Sequence, residues 1–326
     1  MGFSHWIDTV NNDFNGVINN IDNYRNWFQI ERDPLTNRPL NYAITKHFLE
    51  DEILELQNNN IRFNAYSFSY ETPRAAEEEN EDRVRRIKNN ECFVIVYSTE
   101  DTVHYIINRI SATAKTLLRK LNNYDGRGEI EVCHYPYSDD LADWLVYIAR
   151  ERNNDVLDDD SELRIRGIIG FKGPTNVDRL SEISGSGDFI MDALGTLGFL
   201  LESEEFKYLK PKISYRRHNI DLSLLKNKSI DIDFESYAGS YMFIEGMMNE
   251  NADVDIALKT RLLIHVTEEL VGHLFNVYNR HVANGDWSTQ VKIQTLRHIG
   301  HTINTRVTEK IEDIEANELE ANGLNE

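Results

Sequence analysis

Two cysteines, Cys92 and Cys133, are all that 326 residues contain. That excludes a disulfide framework and a zinc site built from cysteine alone. Both lie in apolar, strand-like runs, where a thiol behaves as a small hydrophobe. No apolar run approaches the roughly 20 residues that span a bilayer. The N-terminus lacks the basic-then-apolar pattern of a signal peptide. Myristoylation needs Ser or Thr at the sixth position, which is Trp6 here. The expectation is a cytoplasmic protein without a membrane contact. There is no GxSxG elbow, no HExxH pair, no Walker lysine, no internal repeat and no long low-complexity tract.

Cations are also scarce. Against 55 Asp and Glu stand 35 Lys and Arg, a formal charge of −20. A body this acidic repels nucleic acid and anionic lipid at long range. What is plentiful is core material: 40% of residues are hydrophobic, with 15 Tyr, 14 Phe and 4 Trp, enough to exclude a disordered chain. Asn fills 33 positions, a usage that argues against a hyperthermophile.

Along the chain, Trp6, Val10, Phe14, Val17, Ile21, Tyr24 and Phe28 recur at steps of three and four. This predicts an amphipathic helical arm, although seven Asn and Gly16 weaken it. Its aromatic stripe must be buried, either on the core or against a partner or a second copy. A helix is expected over 41–57 and a strand over 61–70. Six acids in 71–82 are followed at once by Arg83, Arg85, Arg86 and Lys88, the signature of an exposed linker.

Next comes a β-α-β pattern: a strand from Cys92 to Tyr97, a helix capped by Ser98 or Thr99 and running to Leu121, and a strand from Glu129 to His134. A helix capped by Ser138, a strand over 162–171, a helix over 188–202 and an antiparallel meander (211–217, 220–225, 229–235) follow. Two C-terminal helices form an αα-hairpin closed at Ala283–Asp286, and an acidic tail ends the chain. The fold class is therefore α+β: a central mixed or antiparallel sheet with an N-terminal amphipathic helical arm and a C-terminal helical hairpin. The implied domains are 1–75, 90–250 and 251–316, with 317–326 as tail.

Chemistry concentrates in the meander. A hairpin at Lys226–Lys228 would gather Asp221, Ser223, Asp231 and Asp233 on one face, with Asp221 opposite Asp233. Opposed carboxylates call for a cation, either a divalent metal or Arg216, brought over by a turn at His218–Asn219. With Glu245, the carboxylates suggest a metal-dependent nuclease or phosphodiesterase. The lysine such enzymes place two residues beyond the glutamate is Met247 here. Residues 206–228 carry seven Lys or Arg and one Asp. Lys207, Lys210, Lys212, Arg216 and Arg217, interleaved with tyrosines, could track a single-stranded nucleic acid or meet the chain's own acids. Ser184–Asp188 resembles a phosphate cradle only loosely, because the third glycine is Ile190. His265, Glu269 and His273 share a helix flank, with His298 and His301 on the next helix, and fit helix packing. No cofactor is indicated.

The leading expectation is a non-enzymatic interaction or assembly subunit, fitting an accessory component of a bacterial or phage multi-protein system. It would pair with itself or a protein partner through Trp6, Val10, Phe14, Ile21, Tyr24 and Phe28. The nuclease and the nucleic-acid binder are the rival classes.

Overall fold

In the computed structural model, the described residues are 2–28, 30–57, 59–100, 102–126, 128–175, 181–202, 205–243 and 253–323. The fold is α+β, 39% helical and 32% strand, with two antiparallel sheets and a helix-rich C-terminal region. The chain divides into two units: Met1–Tyr135 with Lys228–Asp231 and Ser240–Gly272, and Pro136–Asn227 with Ile232–Gly239 and His273–Glu326. Boundaries expected near 75–90, 250 and 316 do not coincide with these units.

In chain order the first unit contributes β1 (Ser4–Asp8), α1 (Phe14–Asp22), β2 (Tyr42–Lys46), β3 (Glu52–Glu55), β4 (Asn60–Pro73), α2 (Arg83–Arg86), β5 (Ile87–Thr99), β6 (Thr102–Ile107), α3 (Ser111–Leu121) and β7 (Ile130–Cys133). Next come α4 (Asp139–Glu151), β8 (Arg164–Pro174), β9 (Glu182–Ser186), α5 (Leu194–Glu202), β10 (Tyr208–Tyr215), β11 (His218–Leu225), β12 (Ile230–Ile232) and β13 (Ala238–Gly239). The last helices are α6 (Asp253–His265), a π-helical stretch Val266–Leu270, α7 (Val271–Asn284) and α8 (Thr289–Gly323). The first sheet runs β2-β4-β5-β6-β1-β7, with β3 also on β4; the second runs β12-β11-β10-β8-β9, with β13 on β11.

The first unit's sheet is buried on alternating positions. Trp6, Tyr66, Val94, Val96, Tyr105 and Ile107 meet Phe14, Val17, Ile18 and Ile21 of α1 and Leu117, Leu118 and Leu121 of α3 in one core. Burial of such side chains stabilises by roughly 1.5–3 kcal/mol each.

Several expected elements change type. The N-terminal arm is not one helix: Trp6 lies on β1, and only Phe14–Asp22 is α-helical. A step of four satisfies both a helical turn and strand alternation, so the stripe could not tell them apart. Local side chains decide. Asp8 accepts from the amides of Val10 and Asn11, at 3.1 and 2.8 Å. Asn11 accepts from that of Asp13, at 3.0 Å, and Asp13 caps α1 through the Asn15 amide. These Asx bonds end the strand and start a short helix.

The helix expected over 41–57 is instead β2 and β3, both paired with β4. The helix expected from Ser98 begins only at Ser111. Val103, Ile106 and Ile107 belong to β6, which pairs with β5 through a tight connection where Glu100 has φ 45°. The β-α-β unit is thus a β-hairpin followed by α3 and β7. The 71–88 stretch is not a linker: it joins β4 to β5, which pair from Arg62↔Ser98 to Pro73↔Ile87. Arg86 is buried there against Asp33, donating to both its carboxylate oxygens at 2.9 and 2.8 Å.

In the second unit the strands of the meander lie close to expectation, except that the first turn is Arg216–Arg217, Tyr215 pairing with His218. Arg216 has φ 51°, the left-handed conformation that two-residue hairpins demand. The C-terminal region is helical as expected, α7 and α8 following one another with Gly285 (φ 81°) just after α7. Helix α8 runs to Gly323, so the described part of the expected tail is helical.

Candidate functional site

Four neighbouring strands of the first unit bring polar groups to one face. Directly opposed residues share a face, so Tyr97 on β5 lies beside His104 on β6, and His5 on β1 beside Cys133 on β7. His104 opposes Ile7, two residues from His5, which closes the diagonal between β6 and β1. This face is opposite the one that carries Trp6 and Tyr105 into the α1/α3 core. Here the alternation that would ordinarily place aliphatics presents two imidazoles, a phenol and a thiol.

The distances are short. His5 Nε2 lies 3.0 Å from His104 Nδ1 and 2.8 Å from the Tyr97 hydroxyl. Tyr97 donates to Glu268 Oε1, which lies 3.7 Å from His5 Nε2. His104 Nε2 lies 2.8 Å from Thr99 Oγ1. Tyr97 and His104 stack with ring centroids 5.1 Å apart. Among the described residues, one group of three metal-type ligands has its donor atoms within 4.8 Å of one another: His5, His104 and Cys133. Glu268 projects from the π-helical stretch Val266–Leu270, a local widening that often marks a functional position.

Burial disfavours charge on the two imidazoles and the thiol. Burial lowers His5 to about 3, with His104 adding to the effect, and burial lowers His104 to about 4. Burial, with Glu268 and Glu131 nearby, pushes the Cys133 thiol up to about 11. Glu268 is raised by burial, against the opposing hydrogen bond from Tyr97. A cluster of this kind presents lone pairs without charge, which suits ligation of a cation better than proton transfer near neutral pH.

Sequence reasoning missed His5, His104, Tyr97 and Glu268. The signal available was a histidine in the middle of each of two apolar alternating runs, SHWID and TVHYII, where a strand normally buries an aliphatic.

The residues singled out from the sequence fall elsewhere. Of the aromatic arm, Trp6, Phe14, Ile21 and Tyr24 are buried within the first unit, while Val10 is 64% exposed. Phe28 packs on Tyr42, centroids 4.1 Å apart, beside a cleft of about 320 Å³ also lined by Tyr70, Thr113 and Lys120. Those four buried side chains therefore help build the first unit.

Among the described residues, Asp221, Asp231 and Asp233 do not form a metal-type cluster. The amide of Asp233 donates to the carbonyl of Asp221 at 3.1 Å, so the two residues are indeed cross-strand neighbours. Their compensating cation is Lys210, 2.9 Å from Asp233. Arg216 does not fill that role, because the hairpin turn falls on Arg216–Arg217 and Lys212 stands opposite Asp221. Asp231 belongs to the first unit, where its charge raises the pKa of Lys259, although burial lowers it more. Glu245 lies outside the described residues.

The basic strand is neutralised within its own unit. Lys207 lies 2.5 Å from Glu182, which also holds Lys172, and Lys212 lies 2.9 Å from Asp188. Arg216 lies over its neighbour Tyr215; Arg217 completes the turn. Asp188 serves as an ion partner, and the helix expected over 188–202 starts as α5 only at Leu194. Of the late histidines, His265 meets Glu269 at 3.4 Å, His273 meets Asp158 at 3.3 Å and His298 meets Glu151 at 2.7 Å.

The chain matches no protein-family model and no curated protein.

Proposed function

We propose that this chain is a non-enzymatic interaction subunit that docks a partner helix along the C-terminal half of α8. The observation that supports this reading is a stripe of Val307, Ile311 and Ile314, at steps of four and three, with 46%, 50% and 50% of their surface exposed. Helices normally bury such a stripe, and steps of this size suit a coiled-coil seam. Exposed Glu309, Glu312, Asp313 and Glu315 flank it.

The charge selects the occupant. A second copy would set carboxylates against carboxylates, which is unfavourable. An amphipathic helix with an apolar seam and Lys or Arg at its flanking positions is complementary. Such a partner would reduce the self-repulsion of a −20 chain. The nuclease and nucleic-acid readings draw no comparable support, since Lys210 pairs with Asp233 and Lys207 and Lys212 pair with Glu182 and Asp188.

A Leu-seamed helical peptide with Lys flanks is the direct probe, titrated against the full chain by calorimetry, alongside light scattering of the free chain. Saturable binding that weakens with salt and is lost in I311N supports the proposal. Undiminished binding by I311N contradicts it. A dimer that dissociates in I311N would make the occupant a second copy and overturn the proposed partner.

A further inference from the structure

We propose that His5, His104, Cys133 and Glu268 form a binding site for a zinc-class divalent ion in the first unit. The inference stands apart from the docking role of α8 and rests on the convergence of three donor atoms from three strands, with the Glu268 carboxylate beside one of them.

The donor types select the metal. Two imidazole nitrogens and a thiolate are borderline-to-soft ligands, which favour zinc over magnesium or calcium. A carboxylate oxygen completes the four-coordinate set zinc takes in structural sites. The three His and Cys donor atoms already lie within 4.8 Å of one another, and Glu268 Oε1 lies 3.7 Å from His5 Nε2. Tetrahedral ligation at the usual bond lengths of about 2.0–2.3 Å places donors about 3.3–3.6 Å apart. Closing from 4.8 Å requires about an ångström of side-chain adjustment.

Orientation is supplied from behind. The 2.8 Å contact between Thr99 Oγ1 and His104 Nε2 occupies the far ring nitrogen of His104. Nδ1 is thereby left to face the cluster. This is the outer hydrogen bond that ligating histidines normally carry. Tyr97 plays the corresponding part for Glu268. Three of the four donors stand on hydrogen-bonded strands, β6, β1 and β7, adjacent in the sheet. A rigid base of this kind holds ligands more precisely than loops do.

On binding, the Cys133 thiol loses its proton to solvent and its sulfur lone pair forms the bond to the ion. The hydrogen bond between His5 Nε2 and His104 Nδ1 breaks: Nε2 of His5 releases its proton to solvent while the same ring takes one up at Nδ1, so both facing nitrogens offer lone pairs to the ion and each imidazole stays neutral. With four protein ligands no position stays open for substrate, so the ion is structural. It would staple β6, β1 and β7 to the π-helical stretch bearing Glu268.

The test uses the full chain, stripped with chelator and re-equilibrated with zinc alone. Elemental analysis is expected to give one zinc per chain, falling to background in Cys133→Ser and in His104→Gln. His273→Gln, in the second unit, should retain it. In the unaltered protein, zinc should slow alkylation of Cys133 at least tenfold, a readout that does not depend on either variant folding. Zinc at background in the unaltered chain, loading of both ligand variants equal to that of the unaltered chain, or alkylation of Cys133 unchanged by zinc would each overturn the proposal.

Discussion

In the second unit, His273 lies 3.3 Å from the Asp158 carboxylate, which also accepts from the Ser161 amide and hydroxyl and from Arg280 at 2.9 Å. Each member has an opposite charge or a complementary donor, and the Ser161 hydroxyl, with Arg280 in support, holds Asp158 down at about 2. In the first unit, His5 and His104 face each other and a thiol, and the neighbouring carboxylate of Glu268 is itself raised by burial. The residue types overlap; the wiring differs. A histidine set against a carboxylate and a hydroxyl closes a structural network on itself, whereas neutral imidazoles aimed at a thiol leave donor atoms pointed at a shared space. The contrast teaches that histidine clusters should be read by what compensates them rather than by how many histidines they contain.

The largest effect is expected on the closed network. Asp158→Ala removes the carboxylate shared by Arg280, Ser161 and His273, and should lower unfolding stability by about 2 kcal/mol, since hydrogen bonds to a charged group contribute roughly 1.5–3 kcal/mol. Zinc content should be unchanged. A loss below about 1 kcal/mol by denaturant titration would erase the distinction between the clusters.

Acid should act on the other cluster. Folded-state values of about 3 and 4 for His5 and His104 lie below the unfolded value of about 6.5. The unfolded chain therefore binds more protons between these limits. The metal-free protein should lose stability as pH falls from about 6.5 through 4 towards 3, by up to about 1.4 kcal/mol per pH unit for each histidine. A His5→Gln, His104→Gln double variant should show a flatter profile across that window. An unchanged slope would mean the two imidazoles are not held neutral by the fold.

Tyr97→Phe removes the hydroxyl that joins His5 to Glu268. It should cost about 1–2 kcal/mol, the ordinary penalty for a lost hydrogen bond with a buried partner. It should also weaken zinc binding without abolishing it, because Tyr97 orients a ligand and is not one. Complete loss of zinc in this variant would place the phenol among the ligands.

The smallest effect on stability belongs to the α8 stripe. Replacing Val307, Ile311 and Ile314 together by Asn should change stability by no more than about 0.5 kcal/mol per site, as exposed positions do. It should nevertheless abolish peptide binding. A large drop in melting temperature would mean that the stripe belongs to the unit's core.

The legible parts of the sequence were those in which one periodicity acted alone. The meander strands, the Ser138-capped α4, β8 and the C-terminal helices were recoverable from alternation, caps and turn residues. The N-terminal arm was misread because steps of four serve helix and strand alike, and the Asx bonds of Asp8, Asn11 and Asp13 act below the resolution of a hydrophobic pattern. Segment 99–107 was misread because its turn depends on the positive φ of Glu100, which composition does not announce. The polar cluster was invisible for another reason: His5, Tyr97, His104, Cys133 and Glu268 are assembled by strand order, β5-β6-β1-β7, and sequence spacing cannot supply that. The acidic pair Asp221/Asp233 was legible, but its cation was not, because Lys210 reaches Asp233 across the strand between them.

Cobalt(II) is the most direct probe of the cation site, since its spectrum reports ligand type and geometry together. Added to the chelator-stripped chain, it should give the near-ultraviolet charge-transfer band of a thiolate–cobalt bond and the intense visible bands of four-coordination. Zinc should erase both at one equivalent. A weak, six-coordinate spectrum without the thiolate band would contradict the account and reduce His5, His104 and Cys133 to a hydrogen-bonded cluster.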